Sequence, residues 1–301
     1  MRISTSQVFQ QGLNSIQTQM REMGDTQQQI STGKRVLNPS DDPVAASRIL
    51  GLDESIARTE QFQRNIDAAE QQLNLQESTL ASAQDVVLAI RDVGLKANSE
   101  HYADLPRKAL TDQFSQLQKN LMDLANSQDG NGNYLFAGDE GGTRPFTLTE
   151  NTGSWDTVNY VGGDDGRSIR ASENREVTVV ESGEGIFKDV LQAVSDLREL
   201  NDEGNSQFKP SDIGATLQAL DKGMDKLIEA RSRVGSRLEA VEEMRTDHRE
   251  QMVQYEEARS QVRDVDLAEA ITNLNQQNLG LQAAQQSFAK IQGLSLFNYI
   301  S

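Results

Sequence analysis

Asp129, Asn131 and Asn133, with Glu140 at the twelfth position from Asp129, place oxygen donors at the spacing of a calcium-binding helix–loop–helix loop. The sixth position is Tyr134, where that loop needs glycine for its sharp turn, and the segment leads straight into apolar residues. A tight turn entering a hairpin is the better reading. His101 and His248 have no second His or Cys at ligand spacing, so each reads as a solvated or a seam histidine. Gly162-Gly163-Asp164-Asp165-Gly166 is glycine-rich but acidic, which suits a hairpin turn and repels phosphate. Arg231, Arg233 and Arg237 share a helix with many glutamates, where salt bridging outcompetes anion binding. There is no cysteine, hence no thiolate chemistry and no disulfide framework. No nucleophile–base pair or carboxylate dyad follows from spacing. The expectation is a protein without catalytic residues, metal or cofactor: not an enzyme.

The information must then lie in the elements themselves. A chain of 301 residues with 36% apolar and 5% aromatic content is thin for one thick core and suits long helices packed stripe to stripe. The net charge of −17 disfavours nucleic acid and anionic membrane surfaces, both of which need basic patches. No apolar stretch reaches bilayer-spanning length, so no membrane insertion is expected. Residues 1–30 lack the continuous apolar core and small-residue cleavage site of a secretory signal.

The two ends share one design. Phe9, Leu13, Ile16, Met20, Met23, Gln27 and Ile30 step alternately by four and three, and so do Leu267, Ile271, Leu274, Asn278, Leu281, Gln285 and Phe288. That is the heptad spacing that turns one stripe of a helix toward a partner. The flanks are neutral amides: no charge falls between Ile3 and Met20, and only Lys290 between Ile271 and Ser301. A coiled-coil pair in water keeps Glu and Lys beside its seam; a neutral flank suits a helix enclosed by protein on several sides. The N- and C-terminal helices are therefore expected to pair, to fray in a free monomer, and to order among neighbours. The expected assembly seam is Phe9, Leu13, Ile16, Met20, Met23, Ile30, Leu267, Ile271, Leu274, Leu281 and Phe288.

Between the ends, Gly33 is a helix stop, and Asn38 to Pro43 a rigid turn with Asp42 as N-cap and Pro43 opening the next helix. Its seam runs from Ile49 to Ala97 with one irregular three-residue step from Thr59 to Phe62, and the helix from Pro43 would be about 80 Å long. Pro106 restarts a helix bearing Leu110, Phe114, Leu117, Leu121 and Leu124. Tyr134 to Phe136 reads as a strand, and four short β runs follow between Pro145 and Val180, separated by Gly- and Asp-rich turns. A helix over Ile186–Leu200 and a loop over Asp202–Pro210 lead to an unbroken heptad run from Leu217 to Val262 that carries Arg245, His248 and Arg259 on its stripe. Asp264-Val265-Asp266 breaks it before the last helix. The fold class is mostly α: a long helical coiled-coil or bundle domain with a small inserted antiparallel β domain and paired terminal helices. Domains are expected at 1–42 with 265–301 (terminal coiled-coil, assembly), 43–138 with 185–264 (long-helix bundle) and 139–184 (small β domain).

Three stretches carry a resemblance. They are Ser31-Thr32-Gly33-Lys34-Arg35-Val36 with Asn38-Pro39-Ser40-Asp41-Asp42-Pro43 and Ala45-Ala46-Ser47, then Asp129 to Gly138, then Leu281-Gln282-Ala283-Ala284 with Gly293-Leu294-Ser295-Leu296-Phe297. Together they resemble the flagellin family, and within it the branch at the hook–filament junction. Residues 139–184 carry no motif of that family. The resemblance implies a structural adaptor that joins the adjacent hook-associated protein to the flagellin filament, with flagellin itself, the filament subunit, as the alternative. The partners it implies are a ring of its own copies, that hook-associated protein, flagellin, and an export chaperone on the C-terminal arm. It also implies an extracellular place in the bacterial flagellum, reached through the flagellar type III apparatus. A rival of another class, an intracellular coiled-coil binding module, predicts protease-resistant ends in the free monomer.

Overall fold

The computed structural model describes residues 5–98, 107–149, 156–200 and 210–300. His101, Pro106 and the loop expected over 202–209 lie outside them. In chain order the elements are α1 (Thr5–Thr32), α2 (Pro43–Ala97), α3 (Arg107–Ala125), β1 (Phe146–Thr149), β2 (Thr157–Tyr160), β3 (Arg167–Arg170), β4 (Glu176–Val180), α4 (Glu184–Leu200), α5 (Pro210–Arg263) and α6 (Leu267–Ile300). The chain is mostly helical with a small antiparallel β insert, the class its heptads and turn-rich middle predict. Helix α2 has the limits its seam predicts. Asp42 caps it by accepting the Ala45 N–H at 2.9 Å, and that bond leads in holding the Asp42 carboxyl below its usual range.

Packing divides the chain into two compact units, Met1–Arg58 with Glu250–Ser301 and Thr59–Arg249. We refer to them as the terminal and the central unit. The boundaries expected from sequence follow the helix breaks near 42 and 265, whereas compactness changes inside α2 and α5, where both helices run on.

The central unit holds one hydrophobic core. Helix α2 contributes Ile66, Leu73, Leu80 and Ile90, α3 Phe114 and Leu121, α4 Phe187 and Leu191, and α5 Leu220, Leu227 and Val234. Phe146, Val158, Val177 and Val179 of the β insert belong to the same cluster. Residues 139–184 therefore share the helices' core. Their two antiparallel hairpins, β1–β2 and β3–β4, form separate two-stranded sheets, and such sheets are not stable alone. Phe187 joins the layers, its ring centroid 4.8 Å from Phe136 and 5.9 Å from Phe146, both edge-on. Buried Gln76 donates to the carbonyls of Leu135 at 3.2 Å and Val179 at 2.9 Å, tying α2 to β4. Close approach needs glycine at two helix crossings: a Cβ would stand 2.6 Å from Leu217 at Gly94 and 2.8 Å from Val190 at Gly223.

Two local expectations are corrected. Tyr134 to Phe136 is not a strand but a buried connection with single bridges, Gln128 to Tyr134 and Ala137 to Ser182. It lies between the left-handed glycines Gly132 (φ 84°) and Gly138 (φ 62°), which turn the chain too soon for a ladder. Gly162 to Gly166 does not close a hairpin, because β2 and β3 belong to different sheets. The turn docks instead on the 136–138 segment, where the Gly163 N–H donates to the Ala137 carbonyl and the Tyr160 hydroxyl to the Gly163 carbonyl, each at 2.9 Å.

Candidate functional site

The polar groups that invited a chemical reading are occupied structurally. Asp129 accepts the N–H groups of Asn131 and Asn133 at 2.8 and 2.9 Å and so closes its own turn. Burial pushes its carboxyl up, but these bonds outweigh it and hold the pKa below the usual value. Arg231 spans Glu77 and Gln84, and Arg233 and Arg237 both pair with Glu181. Arg245 binds Glu70, Asp67 and Glu242. His248 is a seam residue, buried with its ring edge-on to Phe62 at 5.7 Å. Among the described residues no group of three His, Cys, Asp or Glu could hold a metal ion, and no helix is long and apolar enough to cross a membrane.

The terminal unit is the remaining candidate. Helix α1 ends where Gly33 takes φ 69°. Helix α6 starts on Asp266, whose carboxylate accepts the N–H groups of Ala268 and Glu269 at 2.9 and 3.2 Å. The two helices pack on one another. Gly12 lies under the Phe288 ring, where a Cβ would stand 2.9 Å away, and Gly280 faces Gln19. As one number rises the other falls, so the pair is antiparallel.

The structure divides the predicted seam. Ile16, Met23, Ile30, Leu274, Leu281 and Phe288 are buried or half-buried on the shared face. Leu13 (36% exposed), Met20 (53%), Leu267 (50%) and Ile271 (49%) point to solvent. The side chain of Phe9 lies outside the described residues. The shared face is completed by residues the pattern missed: Gly12, Gln19 and Thr26 on α1, and Ala270, Gln277 and Ala284 on α6, each one position before a residue that the heptad selected. These are small or neutral, and a tightly packed antiparallel pair selects them for closeness. Their signal was a second heptad beside the first, with Gly, Thr and Ala in it. The Thr26 hydroxyl satisfies itself on the Glu22 carbonyl at 2.9 Å. The buried amide oxygens of Gln19 and Gln277 find no hydrogen-bond partner among the described residues, and a buried oxygen left unpaired costs about 1–3 kcal/mol.

At the root of the pair, the chain leaving α1 and the chain entering α6 form a short ladder. Lys34 bridges Asp264, the Arg35 N–H donates to the Arg263 carbonyl at 2.7 Å, and the Val265 N–H to the Gly33 carbonyl at 3.0 Å. Nearby, Arg259 pairs with Asp53 at 2.9 Å, joining α5 to α2.

Long helices with a charge-poor pair of ends, α1 and α6, that carries apolar side chains outward are the architecture of a structural protein. The bacterial flagellin N-terminal helical region matches residues 3–140 and the flagellin C-terminal helical region residues 217–300; the chain belongs to the flagellin family. Within it the chain is similar to flagellar hook-associated protein 3 of Escherichia coli strain K12 and of Salmonella typhimurium strain LT2, 28% identical to each over 320 aligned positions covering 99% of both chains. It shares the fold of flagellar hook associated protein-3 from Legionella pneumophila, with a TM-score of 0.65 and 15% identity over 71% of this chain and 98% of that one.

Proposed function

We propose that this chain is the structural adaptor of the bacterial flagellum at the hook–filament junction, joining the neighbouring hook-associated protein to the first turns of flagellin. The observation that carries it is the terminal pair: Ile16, Met23, Leu281 and Phe288 inside among small and neutral residues, with Leu13, Met20, Leu267 and Ile271 outside. Apolar side chains on the outer faces of a helix pair are stabilised when further helices cover them. Copies of the chain supply those helices in a ring, and the hook-associated protein and flagellin extend the array on either side. Six seam residues serve this assembly by closing the pair, and Leu13, Met20, Leu267 and Ile271 by contacting neighbours; Phe9 is expected to join them. The division into terminal assembly domain, long-helix domain and small β region describes that labour. The chain acts by binding alone, without catalysis. It leaves the cell through the flagellar type III apparatus with a chaperone holding its C-terminal arm, and works outside.

Similarity along the whole length to hook-associated protein 3 supports the adaptor over the filament subunit. Electron microscopy of a strain lacking the gene tests it. Intact filaments shed from hooks are the expected outcome. Hooks on which no filament material is ever made identify flagellin instead, and unchanged flagella remove the flagellar role.

A further inference from the structure

We infer that Arg35 is a positioning residue that sets the register in which α1 and α6 pair, by clasping four helix ends at the root of the terminal pair. The inference rests on the reading of that pair as the assembly element. Its main-chain N–H donates to the Arg263 carbonyl at 2.7 Å and its carbonyl accepts from the Gln29 amide of α1 at 2.9 Å. Its guanidinium donates to the Val262 carbonyl at 3.0 Å and to Asp42 at 3.3 Å. Val262 is in the last turn of α5, where carbonyls lack helical partners and the dipole favours a cation. Asp42 is the N-cap of α2. One residue therefore touches α1, α2 and α5, and through the Lys34–Asp264 ladder it holds the strand that enters α6. The opposite limb is shaped too: Asp264 accepts from Ser260 at 2.7 Å and from Arg263 at 2.9 Å.

The pair needs such a clasp because its seam is periodic. Ile16, Met23 and Ile30 repeat every seven residues, as do Leu274, Leu281 and Phe288. A slip of one heptad lays large side chains on large ones again, so the apolar stripe distinguishes registers poorly. What the slip disturbs is the seating of Phe288 on Gly12 and of Gln19 against Gly280. A two-bond ladder at a fixed distance from the last turn of α1 and the first turn of α6 supplies the missing zero point. The Arg35–Asp42 ion pair is exposed, 47% and 36% at the two side chains, and such pairs add little stability. The clasp acts on alignment.

The chain has no cysteine, so introduced pairs report without background. In the full chain, Gln19→Cys with Gly280→Cys reads the native register. At Gly280 a Cβ meets nothing nearer than the Gln19 amide at 3.7 Å. Gln19→Cys with Asn273→Cys reads the register slipped by one heptad. Disulfide formation rates under mild oxidation are compared with Arg35 intact, Arg35→Ala and Arg35→Lys. With Arg35 the native pair forms faster; in Arg35→Ala the ratio of native to slipped rates falls about tenfold, the scale of one charged hydrogen bond. Arg35→Lys lies between, since an ammonium reaches Asp42 or the Val262 carbonyl but not both. An unchanged ratio in Arg35→Ala overturns the inference, as does failure of the native pair to cross-link with Arg35 present. Equal slowing of both pairs also overturns it, because that marks loosening without loss of alignment. None of these outcomes depends on a flagellum, so the junction reading is tested separately by the deletion strain.

Discussion

In the central unit Ile66, Leu73, Phe114, Phe136 and Phe187 are sealed from solvent; in the terminal unit the buried apolar residues among those described are Val36, Ala45, Ile56, Ala270 and Leu281. Exposure runs the other way. Of thirteen exposed large apolar side chains among the described residues, eight belong to the terminal unit, including Val44, Leu50 and Leu279. The helices of both units step by heptads, so spacing does not separate them. What separates them is whether the chain itself supplies the covering side chains. The central unit closes its core from α2 to α5 and the β hairpins. The terminal unit closes a thin seam and leaves Leu13, Met20, Leu267 and Ile271 exposed. One region closes its own core, and the other is the part proposed to be completed by neighbours.

The largest expected effect breaks the second region while sparing the first. Leu281→Asp places a carboxylate at a position only 9% exposed, at a cost of several kcal/mol unless the pair opens. Motility and filament retention should be lost, while the main unfolding transition, which reports the central core, keeps its denaturant midpoint. A swimming mutant would remove the assembly role of the seam. Phe187→Ala reverses the pattern. It empties the contact between Phe136 and Phe146 and should lower stability by about 3–5 kcal/mol in urea titration. Gln76→Leu is milder, leaving the Leu135 and Val179 carbonyls without their donor, at about 1–3 kcal/mol. Should Gln76→Leu prove neutral, those carbonyls do not depend on α2.

These contrasts also explain what could be read in advance. The limits of α2 were legible because Asp42 and Pro43 are local start signals and Ala97 ends a long apolar period. The inner face of α1 was half legible: the heptad through Leu13 and Met20 is richer in large side chains than the one through Gly12, Gln19 and Thr26, yet the second faces α6. Closeness decided it, and closeness depends on where Phe288 sits. The Gly162 to Gly166 turn looked like any hairpin turn because the bond that redirects it, from Gly163 to the Ala137 carbonyl, joins segments far apart in sequence. Half of the Arg35 clasp is local, to Gln29 and Asp42, but nothing there reveals the other half. Its remaining partners, Arg263 and Val262, come from the far end of the chain.

The smallest expected effect is a pH dependence confined to the central unit. Burial lowers the pKa of His248 from the ordinary 6.5, with the Asp247 charge opposing, so the folded chain takes up this proton less readily than the unfolded one. Stability from this site is complete above pH 6.5 and drains away as pH falls below it toward the depressed folded value. The neighbouring Glu70 stays ionised across that window, because the Arg245 hydrogen bond holds its carboxyl below the usual range. Asp196 and Glu199 act in the opposite sense: burial raises both, so their contributions grow as pH falls toward ordinary carboxylate values near about 4. Urea midpoints measured at pH 7.5 and 5.5 should therefore show a modest fall in the native chain. In His248→Phe, which keeps an aromatic ring against Phe62, the fall should vanish. A slope that survives the substitution would assign it to other groups and leave the comparison of the two units standing on packing alone.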